Sequence, residues 1–524
     1  MNRKFSFGLT FLICVIFAVP CFGGGQSGNT SGTVTGPGSA AGKLVSSDVT
    51  IDVMLPESPL VPLNNNFTFY QYLYDRTGIK INFIGVPSSD YSVRRSLALS
   101  TADFPDVIQI AQAQVNDFAS EGIFVNLSKH KNDLPNYFNI VEKYPEAKVT
   151  FIDGESFAFP TIARWDKPRG STLIMRQDIL DALKINEASI KTFDDFYNVL
   201  KAVKNAYPNI IPFIQRGGSN SLMSLLGYSL GSDSGISFDP QQRKWVYAPV
   251  QPQTRVVLAY LHKLYSESLL DPDYATTSGT DWQQKMASNK SFSYLDNVGM
   301  ANTNLPALRG IVPNASWNVI RMPQNSFGYA RGLLINPHQL GRLWAVNSSS
   351  KKIDNILKLF NFLYTEEACD ILNLGKEGID FVYGPDGRPQ LTPARIAKST
   401  VDGIYVQRVG QAETGAAAYE TFIPYSDNLS YFIQLPEHQE AWYKTIENDP
   451  AFVYPVNAPP FNERERGRLS EIVTNLSTIA TVMFDKLIMG IDNLDTFNSY
   501  VARMKAAYSD EVEKIYNDAQ ARLK

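Results

Sequence analysis

Residues Val49-Thr50-Ile51-Asp52-Val53-Met54-Leu55 alternate apolar with polar and then run apolar, as a strand entering a sheet does. Lys80-Ile81-Asn82-Phe83-Ile84 and Asp106-Val107-Ile108-Gln109-Ile110 predict two more strands. Helical patterns at 69–75 and 91–99 lie between them, so the order strand, helix, strand, helix, strand predicts parallel pairing with right-handed crossovers. Further on, Phe193, Phe196, Tyr197, Leu200 and Val203 form one apolar stripe, with Thr192 placed to cap it and Asp195 placed to complete a capping box. Ile353, Ile356, Leu357, Phe360, Leu363 and Tyr364 repeat the stripe. Leu469, Ile472, Val473, Leu476 and Ile479 do so again, followed by Phe497, Tyr500, Val501 and Met504. Proline-rich 455–460 and Gly384-Pro385-Asp386-Gly387 read as loops.

The first residues carry a different signal. Arg3 and Lys4 precede an almost unbroken apolar run at 5–19, and small residues follow from Gly23. That order predicts a secretory signal over 1–23. The run falls short of the roughly 20 residues that a membrane span needs. Ala18-Val19-Pro20-Cys21 stands where a lipobox would, with Pro20 at a position that favours smaller residues. Lipidation of Cys21 and a plain cut after Gly23 both stay open. Residues 24–44 are Gly/Ser/Thr-rich and read as a tether. Cys369 is then alone, so no disulfide framework is expected, and the four histidines show no metal-ligand spacing. A net charge of −4 argues against a nucleic-acid partner.

Four blocks in order carry a family resemblance. They are Tyr74-Asp75-Arg76-Thr77-Gly78-Ile79-Lys80 with Ala102-Asp103-Phe104-Pro105-Asp106-Val107-Ile108; Met175-Arg176-Gln177-Asp178-Ile179-Leu180; Phe360-Asn361-Phe362-Leu363-Tyr364-Thr365-Glu366-Glu367 with Gly375-Lys376-Glu377-Gly378-Ile379-Asp380; and Ile488-Met489-Gly490. In these the chain resembles the family 1 extracellular solute-binding proteins of carbohydrate ABC transporters, in particular their long aldouronate- and alginate-oligosaccharide branch. The resemblance implies an α/β, two-lobed periplasmic-binding-protein fold of type II, with a ligand cleft between hinged lobes. Residues 45–160 with a return near 300–340 would form the first lobe, and 161–299 with 341–524 the second. Many relatives carry an acidic calcium loop after the helix that Thr192 begins. Here the stretch Lys204-Asn205-Ala206-Tyr207-Pro208-Asn209-Ile210-Ile211-Pro212 lacks the carboxylates such an ion requires, and no calcium or other cofactor is expected.

A sugar cleft needs aromatic platforms ringed by hydrogen-bonding side chains, placed beyond the carboxyl ends of strands. That rule selects Glu57, Ser58, Gln112 and Gln114. Arg164-Trp165-Asp166, Arg216 with Asn220, and Asp281-Trp282 with Asp296 and Asn297 are further candidates. Each has an ordinary alternative as a turn, a local ion pair or a packed ring. Trp317 and Tyr329-Ala330-Arg331 are weaker, and Trp245, Trp344 and Trp442 are assigned to packing. The function expected is capture of a neutral or uronic-acid-containing oligosaccharide by an exported monomer that performs no chemistry and delivers its ligand to permease subunits. Its membrane link would be at most a lipid on Cys21. Competing readings are a secreted glycoside hydrolase using paired carboxylates, and a ligand-sensing subunit for a membrane sensor kinase.

Overall fold

This computed structural model describes residues 42–58, 61–164, 170–335, 338–385, 387–416, 421–427 and 437–522. Strands β1 (Val49–Glu57), β2 (Ile79–Pro87), β3 (Val107–Ile110), β4 (Phe159–Ala163), β5 (Ser171–Arg176), β6 (Ile211–Ile214), β7 (Ser291–Asn297), β8 (Trp317–Ile320), β9 (Gln339–Val346) and β10 (Tyr425–Ser426) build two sheets. The first has six strands in the order β10-β4-β9-β3-β1-β2, and the second has four in the order β8-β5-β7-β6. The three strands expected near the start are present, and β1 pairs in parallel with both β2 and β3.

Alternation along the strands sorts the first sheet's side chains into two apolar layers. Val53, Leu55, Val107, Trp344 and Val346 point into one, which the helices Pro135–Lys143 and Ile353–Leu363 cover. Met54, Ile108, Ile110, Leu343 and Ala345 point into the other. Burial on both faces explains why these strands read as apolar runs. Gly78 shows why the first block has its sequence. At φ 76° it ends the helix Thr68–Thr77 in the left-handed region, and β2 starts at the next residue. A Cβ there would meet Val45 at 3.0 Å. Asp106 explains the next block. Burial alone would raise its carboxyl, yet the Asp52 N–H (3.0 Å), Lys352 Nζ (2.7 Å) and Ser350 Oγ (2.7 Å) hold it below the usual range.

The second sheet rests in a larger core with the helix Phe193–Ala206 and the C-terminal helices Glu463–Ile488 and Phe497–Ala506. Thr192 caps the first of these as expected. Its hydroxyl accepts the Asp195 N–H at 3.1 Å, and Asp195 accepts the Thr192 N–H at 2.9 Å.

The expected lobe boundaries need two corrections. Residues 300–334 do not return to the first lobe. Met300, Leu305, Trp317, Ile320 and Leu334 all lie in the second core, because β8 pairs antiparallel with β5. The return comes with β9, which inserts antiparallel between β3 and β4. The helices Ile353–Leu363 and Glu366–Asn373, expected in the second lobe, stay with the first core, although Ile404 and Val406 reach the second. The main chain therefore passes between the sheets from β4 to β5, from β8 to β9, and from β10 to the helix Glu437–Glu447.

Candidate functional site

Strand direction places one edge of each sheet at the crossing. β9 runs antiparallel to β3 and β4, and β1 runs parallel to β3. The carboxyl ends of β1, β3 and β4 thus share the edge from which the chain leaves at Ala163. In the second sheet Ser171, where the chain enters, pairs with Asn297 at the end of β7, and β6 runs parallel to β7. Both sheets therefore turn carboxyl ends toward the crossing. That is the place where an α/β protein holds a ligand.

At the second edge, residues from three separate stretches meet. Arg216 grips Asp296 with two bonds, Nε to Oδ2 at 2.8 Å and Nη2 to Oδ1 at 3.1 Å. Its guanidinium lies 4.8 Å from the centre of the Trp282 ring. Trp282 in turn stands edge-on to Tyr294 at 5.0 Å. Two consecutive glycines make this possible, since Gly217 and Gly218 have φ of 81° and 71° and turn the chain from β6 into the next helix. The arrangement fixes a planar donor with Arg216 Nη1 left without a partner among the described residues. Beside it, Gln215 is 1% exposed and its Oε1 has no hydrogen-bond partner. Trp282 is fully buried, so it supports Arg216 from beneath and is no open platform. Trp317 is also buried. It pairs with Arg176, at the end of β5 farthest from the crossing, which corrects its expected place in the cleft.

The first edge carries Glu57 and Gln112. Glu57 Oε1 accepts the Leu63 N–H at 3.1 Å. Gln112 Nε2 donates to Asn116 (3.1 Å) and to the Thr150 carbonyl (3.3 Å), while its buried Oε1 has no partner. Gln114 is occupied as a helix cap, accepting the Ala111 N–H, and Asn220 accepts from Thr481 in the second lobe. Arg164 is surrounded by carboxylates: Asp427 at 2.5 Å, Asp370 at 2.7 Å and Glu366 at 2.8 Å. It therefore ties the end of β4 to the end of β10 instead of presenting a free cation. Trp165, Asp166 and Cys21 lie outside the described residues. Trp245, Trp344 and Trp442 are packed as expected. Beside Arg164, the Ala163 N–H donates to His338 Nδ1 (3.0 Å), which leaves Nε2 to meet Glu146 at 3.0 Å. In the stretch lacking calcium ligands, Lys204 Nζ reaches the Pro208 carbonyl at 3.4 Å.

Two features escaped the sequence reading. The first surrounds Arg331, named there only weakly. Its guanidinium lies 4.0 Å from the Tyr228 ring centre and bonds the carbonyls of Tyr228 and Ser232. Phe327 stacks on Tyr329 alongside. Burial raises the neighbouring Asp233 carboxyl to about 6, against the opposing pull of the Ser234 N–H and Arg331. The fold thus favours the protonated acid. Its contribution is complete below the unfolded value near 3.8 and is lost as pH rises through about 6. The melting temperature is expected to fall across that window. Asp233→Asn should flatten the fall and melt higher than the parent at pH 7 and above. An unchanged slope in a pH series of thermal melts would assign the dependence to another group. The second feature is a cavity of about 530 Å³ whose walls come from both lobes, residues 131–154 of the first and 460–466 with Arg522 of the second. Its lining comes from short stretches of the two lobes that share no periodic signal.

The family model for bacterial extracellular solute-binding proteins matches residues 63–368. Among curated proteins, the chain is 25% identical over 317 residues to the fructooligosaccharide ABC transporter substrate-binding protein FusA of Streptococcus pneumoniae, covering 55% of this chain and 57% of that one. It is 23% identical over 325 residues to the polygalacturonan/rhamnogalacturonan-binding protein YtcQ of Bacillus subtilis, covering 59% and 62%. These matches span a little over half the length of each relative. The fold is shared over nearly the whole chain with alginate-binding protein AlgQ2, at a TM-score of 0.78 and 18% identity, covering 91% of this chain and 99% of that one. FusA in complex with kestose shares it at a TM-score of 0.71 and 19% identity, covering 90% and 100%. With its two lobes meeting at carboxyl strand edges and a family match over more than half its length, the chain belongs to the bacterial extracellular solute-binding proteins.

Proposed function

We propose that the protein captures an oligosaccharide outside the cytoplasm in the cleft between its lobes and delivers it to the permease of an ABC importer, without chemistry of its own. The observation that carries this reading is the facing pair of carboxyl strand edges, with Arg216 held rigidly by Asp296 and Trp282 on one side and Gln112 on the other. Fixed polar donors and partly exposed rings such as Phe327 suit hydroxyls and the C–H faces of sugar rings. The names of FusA and YtcQ support a carbohydrate ligand, the first neutral and the second acidic. The charged and apolar stretch over 1–23 supports export, with Cys21 as a candidate lipid attachment point. Among the described residues no helix is long and apolar enough to cross a membrane. A monomer suffices, since both walls of the cleft come from one chain.

The test is a thermal-shift titration of the purified protein with neutral and acidic oligosaccharides. A ligand that binds the native state alone stabilises it by about 2.7 kcal/mol at a hundredfold excess over Kd. A concentration-dependent rise with intact sugar recovered afterwards is the expected result. No shift with any sugar would overturn the reading, and release of shorter products would turn it toward a hydrolase.

A further inference from the structure

We infer that the cavity between the lobes is a subsite for the carboxylate of an acidic sugar unit, gripped by Lys131 from the first lobe and Arg466 from the second. The inference rests on the oligosaccharide reading above and narrows it to uronic-acid-containing ligands. Four cations line this cavity against two carboxylates, in a chain whose net charge is −4. Two of the four are already neutralised, Lys148 by Glu142 at 3.0 Å and Arg522 by Glu465 at 2.6 Å. Lys131 and Arg466 have no carboxylate partner among the described residues. Lys131 stands 5.5 Å from the Phe138 ring centre, and Arg466 Nη1 donates to the Phe461 carbonyl at 2.5 Å.

These two charges belong to opposite walls, so lobe closure brings like charges together. Such a juxtaposition opposes closure unless a further negative group enters between them, since Asp153 in the same lining offsets only part of it. A carboxylate accepts from both and turns the repulsion into a bridge across the lobes. The rings of Phe138, Phe151 and Phe461 in the same lining supply surfaces for the sugar's C–H face. The volume of about 530 Å³ lies in the range of about 300–1,000 Å³ usual for ligand sites. With Asp153 offsetting one of these charges, a neutral sugar would leave one cation uncompensated. Ligand charge and lobe closure are thereby coupled.

Calorimetric titration of the full chain with trigalacturonate, its neutral galactose counterpart and sodium acetate tests this. The parent is expected to bind trigalacturonate at least tenfold more tightly than the neutral trimer, with affinity falling as salt rises. Lys131→Gln and Arg466→Gln should each weaken trigalacturonate about tenfold and flatten the salt dependence, while neutral binding stays unchanged. Both side chains reach solvent, and coincident melting curves will verify that the variants fold. Equal affinity for the two trimers overturns the inference and leaves the sugar reading standing. Acetate competing as well as trigalacturonate makes the cavity a general anion site and also overturns it. Binding of neither trimer defeats both readings together.

Discussion

Arg164→Met is expected to remove about 3–5 kcal/mol of folding stability, because it strips the guanidinium from carboxylates that the fold has already desolvated. The Asp427 side chain is fully buried at 2.5 Å from Arg164, and Asp370 is mostly covered at 2.7 Å. Methionine matches much of the lost volume, so the loss reports charge and hydrogen bonding more than a cavity. Arg164→Lys should recover part of it, since an ammonium restores the charge but not the planar fork that reaches three carboxylates. Urea denaturation at pH 7 measures both variants. A Met variant within about 1 kcal/mol of the parent would show that the pairing does little beyond offsetting its own desolvation.

Trp282→Ala is expected to cost a similar amount, about 3–5 kcal/mol, the usual range for removing a large buried ring. The ring is fully buried and packs edge-on to Tyr294, so the void has no easy way to collapse. A second effect separates it from an ordinary core deletion. Arg216 loses the surface on which it lies, and its pairing with Asp296 alone no longer fixes its outward face. Affinity for the preferred oligosaccharide should fall more than in a Trp344→Ala control, whose equally buried ring lies in the first lobe's core. Trp282→Phe should keep most of the stability and part of the affinity. Equal affinity losses for Trp282 and Trp344 variants would mean that Trp282 serves packing alone.

Local order was legible where it is set by neighbours in the chain. Alternating and apolar runs gave β1, β2 and β3, and the apolar stripe with Thr192 gave a capped helix. Arg216 and Asp296 were also legible as separate candidates, although nothing in the sequence showed that they pair across 80 residues. Arg164 was misjudged for the same reason. Its three carboxylates stand 202 to 263 residues further on, and an isolated Arg-Trp-Asp triplet looks like a site until those partners arrive. Strand pairing explains the error in lobe boundary. A segment such as Trp317–Ile320 announces a strand, but not that β5 is its partner. The cavity between the lobes was invisible because charged residues from stretches far apart in the chain converge there without a shared pattern.

The roots of the three crossings have a mechanical consequence. β10, β4 and β9 are consecutive neighbours in the first sheet, and Arg164, Asp427 and His338 fasten their ends together. Neighbouring strands lie about 4.8 Å apart, so the whole pivot is a strip only about 10 Å wide. Three leaves mounted side by side on such a strip bend together readily about its long axis. They resist being sheared along it or twisted out of plane. The fastening thus leaves one soft direction and stiffens the rest, and a small rotation at the strip becomes a large displacement at the far rim of each lobe.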